Sequence, residues 1–223
     1  MADLRIVCLH GLGRGPSDWD AVRGRLSAHG TVVTPALPRD PAAALAAAER
    51  AAAPPGTVLI GHSMGGIVAL RIARRERSAV TGVILTGCPF PVARNGRSRR
   101  ATALDYAGHR VAFVCSLGDR PPAAGPRRRS PAGLAGVAPV LARPGRFDAL
   151  FGRIDVPVLV VHARDNHHVP IDFALAAAAR HGWEIRVLEA GGHHAHLRSP
   201  NGWLAVVAPW LAAHSPPTAG RCD

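Results

Sequence analysis

Residues 57–75, TVLIGHSMGGIVALRIARR, decide how this chain folds. Thr57, Val58, Leu59 and Ile60 are β-favouring and run without polar alternation into Gly61. His62, Ser63, Met64, Gly65 and Gly66 follow, and then Ile67, Leu70 and Ile72 recur at helical spacing. The pattern predicts strand, tight turn and helix, with Ser63 at the apex. A side chain held on such a turn needs neighbours with almost no side chain of their own, or strand and helix would collide. Glycine at 61 and 65 meets that demand. The turn lifts the Ser63 hydroxyl clear of the sheet and leaves the Met64 amide at a helix N-terminus, where partial positive charge gathers.

Outward from this stretch, strands and helices alternate. Leu4 to Leu9 reads as a buried strand ending in His10-Gly11-Leu12-Gly13. A helix is expected from about Ser17, a good N-cap, to His29, with Trp19 and Val22 facing the core. Thr31 to Leu37 reads as a strand stopped by Pro38, and Pro41 opens an alanine-rich helix to Ala53. Val80 to Thr86 is a further strand. After a long irregular stretch come strand Val156 to His162, helix Ile171 to His181, strand Glu184 to Leu188 and helix Pro200 to Ala213. Continuously apolar strands separated by helices predict an α/β fold: a mostly parallel sheet of about six strands with helices on both faces. In such sheets ligands bind beyond the carboxyl ends of the strands. His10, Ser63, Asp165 and His193 all follow predicted strands.

The 223 residues are 48% hydrophobic and carry a formal charge of +12, all 27 basic residues being arginine. Twelve arginines against Asp105, Asp119 and Asp148 fall between Cys88 and Arg153, so this segment alone carries +9. Aromatic content is 4%, and no aromatic residues are interleaved with the arginines, which argues against a nucleic-acid surface. No apolar run is long enough to span a membrane, and the N-terminus shows no basic leader with an apolar block. Cys8, Cys88, Cys115 and Cys222 form no paired motif. A cytoplasmic chain with free thiols is expected. The histidine-rich loops lack the HExxH helix or cysteine partners of common zinc sites, so no metal is expected.

Four pieces of the chain, HGLG (10–13), GHSMGG (61–66), VPVLVVHARDNHHVP (156–170) and GGHHAHLRSP (191–200), resemble the α/β-hydrolases in kind and in order. The resemblance covers residues 3–87 and 154–214. It implies a core of residues 1–87 and 154–214, a partly irregular, arginine-rich cap over 88–153, and a disordered tail at 215–223.

The resemblance also implies chemistry. Ser63 would be the nucleophile, activated by a histidine that takes its proton. The Gly-His pattern with proline seven residues on selects His193, with His194 as runner-up. Backbone amides of Leu12 and Met64 would form the oxyanion hole. For the orienting acid the chain departs from the family: the pattern's position falls on Asn166, Asp165 lies one residue earlier, and Ala163 replaces a usual glycine. Either Asp165 reaches the histidine or Asn166 orients it through its amide oxygen. Ala36 and Arg39 also stand where the family often has aspartate and glycine.

The implied activity is cleavage of a carboxylic ester or thioester through an acyl-enzyme, with no cofactor. The substrate would be a small acyl compound, and an anionic or carrier-bound one is left open by the basic cap. A serine at the turn argues against aspartate-based dehalogenase or epoxide-hydrolase chemistry. Two rivals stay open: a weakly active or non-catalytic relative binding an acyl ligand or acidic partner, and carbon–carbon hydrolysis or acyl transfer on the same fold. Nothing in the sequence addresses the oligomeric state.

Overall fold

The computed structural model describes residues 4–38, 40–75, 78–90 and 151–214. Most of the expected cap, the element anticipated within Tyr106 to Leu117, and the tail at 215–223 lie outside the described residues. The remainder forms one six-stranded sheet. Its strands are β1 (Arg5–Leu9), β2 (Thr31–Val33), β3 (Thr57–His62), β4 (Val80–Thr86), β5 (Val158–Ala163) and β6 (Glu184–Leu188). Their spatial order is β2-β1-β3-β4-β5-β6, and every neighbouring pair is parallel. The helices are α1 (Asp20–Leu26), α2 (Pro41–Ala52), α3 (Met64–Ala73), α4 (Ile171–His181) and α5 (Pro200–His214).

Alternation along each strand divides the core in two. Val7 and Leu9 of β1, Leu59 of β3, Val83 and Leu85 of β4 and Val160 of β5 face α2, α3 and α4. Ile6, Cys8, Val58, Ile60, Ile84, Leu159 and Val161 face α1 and α5, where Trp19, Trp203 and Trp210 complete the second layer. Both faces are covered, which is why the strands carry no polar alternation. Cys8 and Cys88 are buried free thiols, and burial pushes both well above the usual thiol range.

Several details differ from the sequence reading, among them the strand expected at Val156 to His162, which runs Val158–Ala163. The first helix begins not with a Ser17 cap but with a 3-10 turn, Pro16–Trp19, that precedes α1 and follows extended Gly15. The Asp18 amide donates to Gly15, while the Asp18 carboxylate turns back to Arg14. β2 stops at Val33, because Pro35 has no N–H to continue a ladder and the Leu37 amide is engaged by His10. α2 carries a cap that the reading omitted: the Asp40 side chain accepts from the Ala43 amide at 2.7 Å. Among the described residues no helix is long and apolar enough to cross a membrane.

Candidate active site

The site is built at the carboxyl ends of β1, β3, β5 and β6. Ser63 sits between β3 and α3 at φ 53°, ψ −120°, and is the only non-glycine residue with positive φ among those described. Its amide donates to Thr86 at the end of β4. The crossing is as tight as the sequence implied. A Cβ at Gly61 would lie 2.5 Å from the Gly66 backbone, and one at Gly65 would lie 2.2 Å from the Leu9 carbonyl oxygen. Gly66 meets the Cys88 sulfur at 2.7 Å in the same sense. No side chain larger than hydrogen fits at these positions without moving backbone or a core thiol.

The HGLG loop lies against the serine: a Cβ at Gly11 would be 3.3 Å from Ser63 Cβ. His10 secures this loop rather than facing the site. The Leu37 amide donates to His10 Nε2 at 3.1 Å, so Nδ1 carries the proton and donates to the Gly11 carbonyl at 2.9 Å. Leu12 and Met64 are both half-buried beside the serine's loop and helix.

His193, in a 3-10 turn after β6, brings Nε2 to 3.1 Å from Ser63 Oγ. Both groups are buried. Burial first, then the nearby rings of His194, His168, His162 and His196, hold His193 well below the usual imidazole range, which favours its neutral form. His194, the runner-up, has no such bond to Ser63; its ring lies 4.9 Å from that of His62. Burial, Arg14, Arg198 and His168 lower it to about 4.

Neither candidate for the orienting group bonds to His193. Asp165 is exposed, and its two oxygens accept from the Gly192 amide at 2.8 Å and the Gly191 amide at 3.3 Å. It holds the backbone just before His193 instead of the ring. Partial desolvation raises its carboxyl, but the Gly192, Gly191 and Asp165 amides together hold it below its ordinary value. Asn166 is buried and its side-chain oxygen is engaged locally: Oδ1 accepts from the His168 and Val169 amides at 3.1 and 3.2 Å, which fixes the amide's orientation. His162 Nε2 lies 2.8 Å from the Val169 carbonyl and 3.2 Å from Asn166 Nδ2; the carbonyl requires the ring proton at Nε2. His193 Nδ1 is buried with no hydrogen-bond partner among the described residues.

The sequence reading missed His62. Its Nε2 donates to the carbonyl of His193 at 3.0 Å, joining the nucleophile turn to the histidine turn across 131 positions of chain. No local spacing signals a bond of that separation. The rings of His193, His194 and His196 all lie within 5.0 Å of the His62 ring, centroid to centroid.

Comparison with known proteins places the fold. The pimeloyl-[acyl-carrier protein] methyl ester esterase of Aromatoleum aromaticum (strain DSM 19018 / LMG 30748 / EbN1) is 40% identical over 90 residues, spanning 37% of this chain and 36% of that protein. An esterase from Exiguobacterium antarcticum superposes with a TM-score of 0.67 at 20% identity, covering 95% of this chain and 92% of the other. The thioesterase domain from the curacin biosynthetic pathway superposes at 0.66 and 19% identity, covering 95% and 91%. A 2-hydroxy-6-oxo-6-phenylhexa-2,4-dienoate hydrolase from Rhodococcus sp. strain RHA1 does so at 0.64 and 21%, covering 95% and 90%. The model of the alpha/beta hydrolase family matches residues 6–207, and the chain belongs to that family.

Proposed function

We propose that this alpha/beta hydrolase is a serine hydrolase that cleaves a carboxylic ester or thioester through an acyl-enzyme. The observation that carries the reading is the 3.1 Å approach of His193 Nε2 to Ser63 Oγ. In this reading Ser63 Oγ attacks the acyl carbon as its proton passes to His193, which then returns the proton to the departing alcohol or thiol. Water enters by the same route and releases the acid. The Leu12 and Met64 amides receive the developing oxyanion. Met64 is the first residue of α3, so its amide has no partner within the helix. Two such donors together are worth several kcal/mol of barrier. Asp165 is assigned as a positioning residue, acting on the histidine turn through the Gly191 and Gly192 amides.

The partial similarity to an esterase of a carrier-bound methyl ester favours an acyl chain borne on a carrier as substrate class. Two buried free thiols fit a reducing, cytoplasmic setting.

A second reading is a protein of low turnover that mainly binds an acyl ligand. The absence of a partner for His193 Nδ1 among the described residues favours it, since an unsupported imidazolium is a poorer intermediate. Labelling with a fluorophosphonate, native against Ser63→Ala, tests the proposal. Native protein should label and turn over p-nitrophenyl esters, and the variant should do neither. A native protein that fails to label, though folded, removes the hydrolase reading. Labelling without turnover selects the second.

A further inference from the structure

Behind the catalytic pair lies a second cluster that the proposed reaction does not use. Asp18, from the 3-10 turn before α1, His62, from the end of β3, and His196, from the helical turn Ala195–Arg198, converge there. Each offers one ligating atom, and the three atoms lie within 4.8 Å of one another. All three residues are buried, His196 completely. Both ring nitrogens of His196, and Nδ1 of His62, lack a hydrogen-bond partner among the described residues. A buried polar atom left unpaired costs about 1–3 kcal/mol, and one ligand could satisfy His62 Nδ1 together with the lone-pair nitrogen of His196.

For His62 the protonation pattern is the one that metal ligation requires. The His193 carbonyl can only accept, so His62 Nε2 carries its proton and Nδ1 is left as a lone pair. A ring that donates one N–H to a carbonyl while offering its other nitrogen is the usual arrangement of a metal-bound histidine. Asp18 is held from outside in the same manner: Arg14 donates to its two oxygens at 2.7 and 2.6 Å, and each oxygen keeps a further lone pair. The His196 ring is fixed by stacking on Trp19 at 4.6 Å.

We infer that Asp18, His62 and His196 form a binding site for one divalent transition-metal ion of the zinc class. Two imidazoles and one carboxylate suit Zn²⁺, Co²⁺ or Ni²⁺ and not Ca²⁺ or Mg²⁺, which want oxygen ligands. Tetrahedral coordination at about 2.0–2.2 Å would leave one position for water. The ion would tie together the loop after β1, the nucleophile turn and the histidine turn, bracing His193 from behind through His62. Occupancy of the site does not depend on the reaction proposed for Ser63.

The test uses tag-free protein, stripped with chelator and titrated with Co²⁺. One equivalent should bind, with the intense visible absorption of tetrahedral cobalt. His196→Phe, which keeps a ring on Trp19, should lose both the equivalent and the bands, and Asp18→Asn should weaken binding at least tenfold. Zn²⁺ should raise the melting temperature of the native protein and leave that of His196→Phe unmoved. Failure of the native protein to take a stoichiometric ion overturns the inference. Binding that persists in folded His196→Phe also overturns it, because the ion then sits on other histidines. If His196→Phe does not fold, unchanged binding by Asp18→Asn has the same consequence.

Discussion

His62 donates its Nε2–H to the main-chain carbonyl of His193 at 3.0 Å, so the residue next to Ser63 carries the backbone of His193. The distance between Ser63 and His193 is therefore set partly by a side chain that touches no reacting atom. His62→Ala should leave a buried carbonyl unpaired and open a cavity. It should destabilise the protein by about 3 kcal/mol and lower kcat about 10- to 100-fold with little change in KM. His62→Gln, which can donate to the same carbonyl, should recover part of both losses. Urea melts and steady-state kinetics on the two variants check this. Equal effects from alanine and glutamine would assign His62 a packing role only.

Asp165→Ala should cost activity about tenfold or less, because the carboxylate binds the Gly191 and Gly192 amides and not the imidazole. Removing a carboxylate that supports the base directly costs about 10⁴ in turnover. Asn166→Ala should act mainly on stability, by about 2 kcal/mol, since it frees the buried Val169 amide and its neighbour at His168. A kcat ratio near 10⁴ for Asp165→Ala would return the orienting role to its side chain.

The pH dependence follows from neutral buried imidazoles. His193 is held well below its ordinary value of 6.5, first by burial and then by His194 and its neighbours. In the proposed mechanism the unprotonated form is the base. kcat/KM should thus persist as pH falls past 6.5 and drop only when pH passes through the depressed value. Stability runs the other way. His62, His193, His194 and His196 all ionise less readily folded than unfolded. Below about 6.5 the unfolded chain binds more protons, so unfolding free energy should decline as pH falls from about 7 towards 4. A pH–rate profile with its acid limb at or above 6.5, or stability flat across that window, would contradict the burial of these rings.

Glycine substitutions should separate crowding from conformational preference. Gly65→Ala puts a Cβ 2.2 Å from the Leu9 carbonyl oxygen and should cost more than about 3 kcal/mol or abolish folding. Gly24 lies within α1 with nothing near its Cβ position, so Gly24→Ala should stabilise by about 0.5–1 kcal/mol. Gly13 has the same open space but φ +70°, and alanine there should cost about 1 kcal/mol. Thermal melts of the three variants check the order.

The sheet was legible because its signals are local. Unbroken apolar runs such as Val83-Ile84-Leu85 and Val158-Leu159-Val160-Val161 fix strands buried on two sides, and α4 and β6 fall on the residues that periodicity assigns. Boundaries slipped where one side chain redirects the chain, as Asp18 and Pro35 do. Ser63 and His193 were legible as motifs, and the fold brings them together. The orienting group was not. Asp165 and Asn166 compete over one position, and which atom each engages depends on loop geometry that residue order does not encode. His62 and the Asp18–His196 pairing were invisible for a related reason: each joins segments brought together only by the sheet.

The backbone at Ser63 has a last consequence. Its φ of 53° with ψ −120° is a conformation that every L-residue enters at a cost. A glycine would relax there, so Ser63→Gly should melt at a higher temperature than Ser63→Ala, by about 1 kcal/mol in free energy. It should also equal or exceed the native protein in stability while being inert. The hydroxyl is kept at a place where folding alone would have chosen no side chain at all, and the durability of this molecule is lowered at the residue to which the proposed attack is assigned.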